Sequence, residues 1–278
     1  MSTPAPDPVA RVRAIFDAVA DDYDGSGVPF FVPAAQGLVE SLEPRPGERV
    51  LDLGCGRGAA TTLLARAVLP SGSVDAVDVS PAMVEHTRTL LAHEGLAART
   101  LVMDAGDPDL PPASYDAVAS SLVLFFLPDP PTALARWVGL LAPGGRIGLT
   151  TFGEEHPVWT ALNALFRPWL PPGMLDPKTV GPDAPFSSDA GMEAMLRDAG
   201  AIEVRTVTRR VDVPWGDVEG WKAFSLSTGQ RAMWAAVPAS ERDGLEARAA
   251  EILAAARDGS GRVVIWQDMR YTLGQAPA

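Results

Sequence analysis

The sequence predicts an α/β fold, a mostly parallel sheet carrying helices on both faces. Three observations carry this expectation. Between Arg49 and Phe152, short apolar runs of strand length alternate with stretches of helical periodicity. The connections carry fitting punctuation: Ser80 and Pro81 make a helix start, while Gly95 and the run Pro143, Gly144, Gly145 make helix stops. The first apolar run, Val50 to Leu53, opens onto glycines at 54, 56 and 58, the pattern of a tight turn between a buried strand and a helix.

Taken in order, residues 1–8 are proline-rich and expected to be mobile. Val9, Val12, Ile15, Phe16 and Val19 recur at helical spacing, which predicts an amphipathic helix to about Ala20. An acidic cluster around Tyr23 and a glycine breaker follow, then a short helix over 33–42 and a turn through Gly47. Strands are expected at 49–53, 74–79, 100–103, 115–120 and 146–152, with helices at 58–69, from Pro81 to about His93, and from Pro131 to Ala142. Beyond Phe152 the rhythm breaks. Residues 153–190 read as an irregular insertion with short helices. Helices are then expected at 192–199, 215–224 and 241–256, and strands at 202–207 and 262–273.

A chain of 278 residues suits a single domain. It divides into an N-terminal helical cap (1–45), a ligand-binding core (46–152), and a part that covers the substrate and supplies the last two strands (153–278). The net charge of −12 argues against nucleic acid as a partner. Cys55 is the single cysteine, so no disulfide closes within the chain and no zinc cluster is expected. The N-terminus lacks the features of a secretion signal, and no run reaches membrane-spanning length. The expectation is a cytoplasmic protein, monomeric or homodimeric, with no membrane partner.

The glycine turn alone proposes a nucleotide site of unspecified kind, since Gly54-x-Gly56-x-x-Ala59 followed by Asp78 also matches a relaxed dinucleotide pattern. Three features argue against a dinucleotide. Asp52, just before the first glycine, disfavours a pyrophosphate and suits a ligand with positive groups. Asp104 puts another acid at a strand end. The chain also lacks a second βαβαβ half. Five segments then occur in order at suitable spacing: 50–58, 76–83, 103–107, 114–118 and 140–145. Together they resemble a class I S-adenosylmethionine-dependent methyltransferase, closest in flavour to the ubiquinone/menaquinone C-methyltransferase-like group of bacterial natural-product metabolism. The resemblance implies a Rossmann-like, seven-stranded, mostly parallel sheet.

It also implies roles. Asp52 and the Gly54, Cys55, Gly56 turn would face the methionine part of S-adenosylmethionine. Asp78, followed by Val79 and Met83, would bond the ribose hydroxyls. Asp104 and Ala105 would meet the adenine, and Ser120 and Ser121 would line the path to the sulfonium. Tyr23 would close over the cofactor at the end of the N-terminal helix. His156, after the fifth strand, is the candidate general base. Trp159, Trp169, Trp215, Trp221, Trp234 and Trp266, with Phe166, Phe186 and Phe224, offer the walls of an apolar acceptor pocket. The expected reaction is methyl transfer to oxygen or carbon of a small, fairly hydrophobic metabolite, leaving S-adenosylhomocysteine. Two alternatives stay open: a methyltransferase-like fold that binds the cofactor but catalyses a cyclisation, and a non-enzymatic cofactor-binding module.

Overall fold

The computed structural model of the chain describes residues 7–170 and 184–278. Residues 1–6 of the expected proline-rich tail and 171–183 of the expected insertion lie outside the described residues. Seven strands form one sheet in the order β3-β2-β1-β4-β5-β7-β6. They are β1 (Arg49–Leu53), β2 (Ser73–Asp78), β3 (Arg99–Val102), β4 (Tyr115–Ser121), β5 (Leu141–Glu155), β6 (Ile202–Val213) and β7 (Ile265–Gln275). The first five run parallel. β7 inserts antiparallel between β5 and β6. The chain reverses between β1 and β4, so a crevice opens beyond the carboxyl ends of these central strands, where ligands bind in open α/β sheets.

Helices cover both faces, and each face has its own core. One core joins Leu38 and Leu42 of α2 (Phe31–Leu42), Leu64 of α3 (Ala59–Val68), and Met269 and Tyr271 of β7. The other joins Leu134 and Trp137 of α5 (Pro130–Leu140) to Ile147 and Leu149 of β5. Gly37 lets α2 lie close on the sheet: a β-carbon there would sit 2.2 Å from the Tyr271 hydroxyl. The remaining helices are α1 (Pro8–Val19), α4 (Pro81–His93), α6 (Pro157–Ala164), α7 (Asp189–Asp198), α8 (Val218–Leu226), α9 (Arg231–Ala236) and α10 (Ala239–Ala255). No helix among the described residues is long and apolar enough to cross a membrane.

Local chemistry sets the element ends. Asp7 accepts from the Val9 amide and Pro8 opens α1; Ser80 accepts from the Met83 amide and Pro81 opens α4. Several bounds differ from the sequence reading, two of them for evident physical reasons. β5 begins at Leu141, not Arg146, because Leu141 pairs with Tyr115 before a bulge that accommodates the Pro-Gly-Gly run. β6 runs on to Val213, because β7 offers a partner along its whole length.

Candidate active site

The crevice at the carboxyl ends of β1, β2 and β4 begins with the glycine turn. Gly54 has a φ of +78°, and a β-carbon on it would lie 2.3 Å from the Val123 side chain. Two constraints, backbone and packing, thus exclude any other residue there. The Gly54 and Cys55 amides donate to the Val77 carbonyl at 2.8 and 2.9 Å, which ties the turn to β2. At the end of β2, the Asp78 carboxylate accepts from the Gly56 amide through one oxygen and from the Ser80 amide through the other, both at 2.9 Å. Burial raises the Asp78 pKa while these amides oppose the shift. The carboxylate lines the crevice beside Val79 and Met83. After β3, Asp104 also lines it and accepts from the Gly106 amide at 2.8 Å. Ala105 sits next to it and is held by Trp137, whose indole N–H donates to the Ala105 carbonyl at 2.7 Å.

α1 lies across the mouth through Val9, Val12 and Phe16, so the free space within is narrow, about 70 Å³. Ser80 donates to Asp17 of α1 at 2.5 Å, and Arg231 of α9 donates to the Ala18 carbonyl at 2.9 Å and pairs with Asp22 at 2.5 Å. Arg57, just after the turn, donates to the Tyr23 carbonyl.

Of the residues singled out in the sequence, Tyr23, Gly54, Gly56, Asp78, Val79, Met83, Asp104, Ala105 and Ser121 are brought together around this crevice. Four others are placed elsewhere. Asp52 is fully buried beneath the turn, where one oxygen accepts from the Thr61 hydroxyl at 2.6 Å and the other has no hydrogen-bond partner among the described residues. Burial pushes its pKa up to about 7. Cys55 turns inward against Thr87, and burial raises its thiol pKa. Ser120 donates to the Leu53 carbonyl at 3.0 Å, inside the sheet. His156 caps α6, its Nδ1 accepting from the Val158 amide at 3.2 Å, with its ring edge-on to Trp266. His156 lines neither the crevice nor the space beyond it: its Nδ1 is engaged in the α6 cap and its ring packs on Trp266.

That second space is a cavity of about 740 Å³. It meets the crevice at Phe16, Tyr23, Leu122 and Phe126, which line both. Phenylalanine is its commonest wall residue: Phe30, Phe125, Phe152, Phe186 and Phe224 surround it with Trp159, and polar side chains such as Asn163 and Gln230 complete the lining. Phe125 and Phe152 lie 5.2 Å apart, and Phe30 faces Trp159 at 5.7 Å. Of the tryptophans and phenylalanines expected to supply some of the walls, Trp159, Phe186 and Phe224 line the cavity. Trp221 and Trp234 instead interlock with Phe166 in the core, and the Arg210 guanidinium lies over Trp266 at 3.6 Å. The sequence reading also missed the loop after β4. Its run Leu122 to Leu127 is uniformly apolar directly after a strand end, which is the signal that could have found it. Leu122 holds a left-handed φ of 60°, fixed by its amide donating to the Thr150 carbonyl at 3.1 Å.

The residues present fit S-adenosylmethionine on chemical grounds. Two carboxylates at strand ends can accept from ribose hydroxyls and an adenine amine. The glycine turn offers backbone approach, and Val79 and Met83 offer an apolar face. The boundary shared with the second space leads to aromatic walls.

Comparison with known proteins agrees. A family model described as a methyltransferase domain matches residues 50–145. The nocamycin O-methyltransferase of Saccharothrix syringae is 32% identical over 284 residues, covering 94% of this chain and 97% of that protein. The aklanonic acid methyltransferase of Streptomyces sp. (strain C5) is 40% identical over 167 residues, covering 60% of this chain and 76% of that protein. Among solved structures, the YcgJ protein of Bacillus subtilis superposes with a TM-score of 0.61 at 17% identity, covering 88% of this chain and 99% of that one, a likeness of fold. A relative this similar along nearly its whole length settles the family: the chain belongs to the class I S-adenosylmethionine-dependent methyltransferases.

Proposed function

We propose that the protein methylates an oxygen of a bulky, largely aromatic metabolite, as a tailoring step in natural-product biosynthesis. One observation carries the reading: the crevice and the phenylalanine-walled cavity of about 740 Å³ meet across Phe16, Tyr23, Leu122 and Phe126. Such a volume lies within the range of small-molecule sites, and aromatic walls favour a flat apolar ligand. The relatives named for nocamycin and aklanonic acid support oxygen as the methylated atom and natural products as the class.

S-adenosylmethionine supplies an electrophilic methyl group. On this reading, Asp78 holds the ribose, Asp104 and Ala105 hold the adenine, and the Gly54–Gly56 turn approaches the methionine part. Asp52, placed below the turn, acts through Thr61 and α3 by fixing the turn's shape. Cys55 and Ser120 fill space behind it. The cap, core and covering part function as one unit, because α1 lines both spaces and α8 and α9 line the larger one.

Rate then comes from alignment and from exclusion of water. Tyr23 is the one polar side chain at the shared boundary, and burial raises its phenol above the usual range. It therefore stays protonated and can donate a hydrogen bond but cannot serve as a base. An acceptor with an acidic phenol or enol needs none.

The test is transfer of labelled methyl from S-adenosylmethionine to two acceptor panels. Turnover is expected with hydroxylated polycyclic aromatics and absent with free amino acids. Efficient turnover of the amino acids alone would overturn the reading.

A further inference from the structure

Two charged side chains line the acceptor cavity among the described residues, Glu155 and Arg270. They are in opposite situations. Arg270 is fully occupied: Nε donates to Asp189 at 2.6 Å, Nη1 to the Phe152 and Phe186 carbonyls at 2.8 and 2.7 Å, and Nη2 to the Ser187 carbonyl at 3.0 Å. Its charge is neutralised by Asp189, and its donors are spent on holding the loop at Phe186 against β5. It has little left for an acceptor's carboxylate.

Glu155 is unpaired. One oxygen accepts from the Thr160 hydroxyl at 2.6 Å; no other hydrogen bond and no ion pair reaches the carboxylate among the described residues. It is partly buried, and burial raises its pKa with no neighbouring charge to oppose the shift. A carboxylate in this position can accept hydrogen bonds and repels anions.

Its place along β5 sets a distance. Leu122, on the boundary with the crevice, bonds the Thr150 carbonyl. Glu155 lies five residues further along the strand, at most on the order of 15 Å of extended chain, since β5 is irregular between Phe152 and Glu155. A ligand of about three fused rings, met at its far end by the Glu155 side chain, suits that span.

We propose that Glu155 is a specificity-determining residue that takes a hydrogen bond from a hydroxyl at the end of the acceptor remote from the methylated oxygen, and that it excludes acceptors carrying a carboxylate there. This rests on the aromatic-acceptor reading above and narrows it: the substrate is an elongated polycyclic phenol with donors at both ends.

Three anthraquinones test the proposal: anthraflavic acid, with a hydroxyl at each end of its three rings; its analogue with only one hydroxyl; and its analogue with a carboxylate replacing the second hydroxyl. Binding is read from quenching of protein fluorescence, in the presence of S-adenosylhomocysteine. Wild type is expected to bind anthraflavic acid at least about 10-fold more tightly than the mono-hydroxy compound, the size of a hydrogen bond to a charged group, and the carboxylate most weakly. Glu155→Gln keeps an acceptor for Thr160 and so preserves the local fold. It should reduce the dihydroxy preference to within about threefold and remove the carboxylate penalty. Thr160→Val should leave the preference in place, because the free oxygen remains. Equal binding of all three compounds by wild type, or unchanged discrimination in Glu155→Gln, overturns the role of Glu155 alone. Failure of wild type to bind any of them overturns the aromatic-acceptor reading and this proposal together.

Discussion

The two halves of the site are built in different ways. The cofactor crevice is narrow, and its polar contacts come from short segments at consecutive strand ends: Gly54 and Gly56, Asp78, Asp104 and Ser121. The acceptor cavity is about ten times larger in free volume, and its walls come from Phe30, Phe125, Phe152, Phe186 and Phe224, each on a different segment. On the proposed reading, the crevice fixes the cofactor with directional groups and should tolerate little change, whereas the cavity selects the acceptor largely by shape and apolar area, so single changes there should be graded. This predicts a separation of effects: substitutions in the crevice should abolish cofactor binding, whereas those in the cavity should alter acceptor KM and leave the cofactor Kd alone.

The largest effect is expected at Asp78. Asp78→Ala removes the acceptor for the Gly56 and Ser80 amides as well as the proposed ribose contact. Cofactor affinity by isothermal titration should fall by about 100-fold or more, two charge-assisted hydrogen bonds being at stake. An affinity within threefold of wild type would break the comparison from the crevice side.

Phe152→Ala should do the reverse. The Phe152 ring is 39% exposed, lines the cavity and touches Phe125, so its loss leaves the core intact. Acceptor KM should rise by about tenfold, the worth of part of an aromatic side chain's burial, with the cofactor Kd unchanged. A change in both constants would show that the two spaces are not separable.

A third effect sharpens the role of Asp52. Its pKa is raised in the folded state, from 3.8 to about 7, so between these values the folded protein holds a proton that the unfolded chain has lost. The Asp52 contribution to stability therefore falls as pH rises from about 4 to 7, by on the order of 1 kcal/mol per pH unit. Asp52→Asn should flatten that slope in urea unfolding of the ligand-free protein. An unaltered slope would mean that Asp52 is not the titrating group.

The smallest effect is expected at His156. His156→Ala loses a helix cap and should cost about 1 kcal/mol of stability, with kcat within twofold of wild type. A collapse of kcat would restore it as the base.

Legibility in the sequence follows the same division. The glycine turn and Asp78 could be read because close backbone approach demands glycine and a strand end demands an abrupt change from apolar to acidic. Both signals are local. The sheet could be read because helices α3, α4 and α5 follow β1, β2 and β4, only the connection from β3 to β4 lacking one. The cavity could not. Phe30 and Phe224 are 194 positions apart and meet at 5.3 Å only after β7 has inserted between β5 and β6. Nothing in either neighbourhood marks it as a wall. The tryptophans misled because a large ring fills a core as well as it lines a pocket. Trp234 also satisfies its N–H internally, donating to the Ser225 hydroxyl at 2.8 Å. His156 stood out only as the histidine nearest the expected acceptor side, and its capping bond shows what the position requires.

The most direct test is a crystal structure of the protein with S-adenosylhomocysteine. The ribose hydroxyls should lie within hydrogen-bonding distance of the Asp78 carboxylate, with the sulfur directed past Tyr23 into the phenylalanine-walled cavity. A sulfur facing away from that cavity, or a ribose bound without Asp78, would contradict the account.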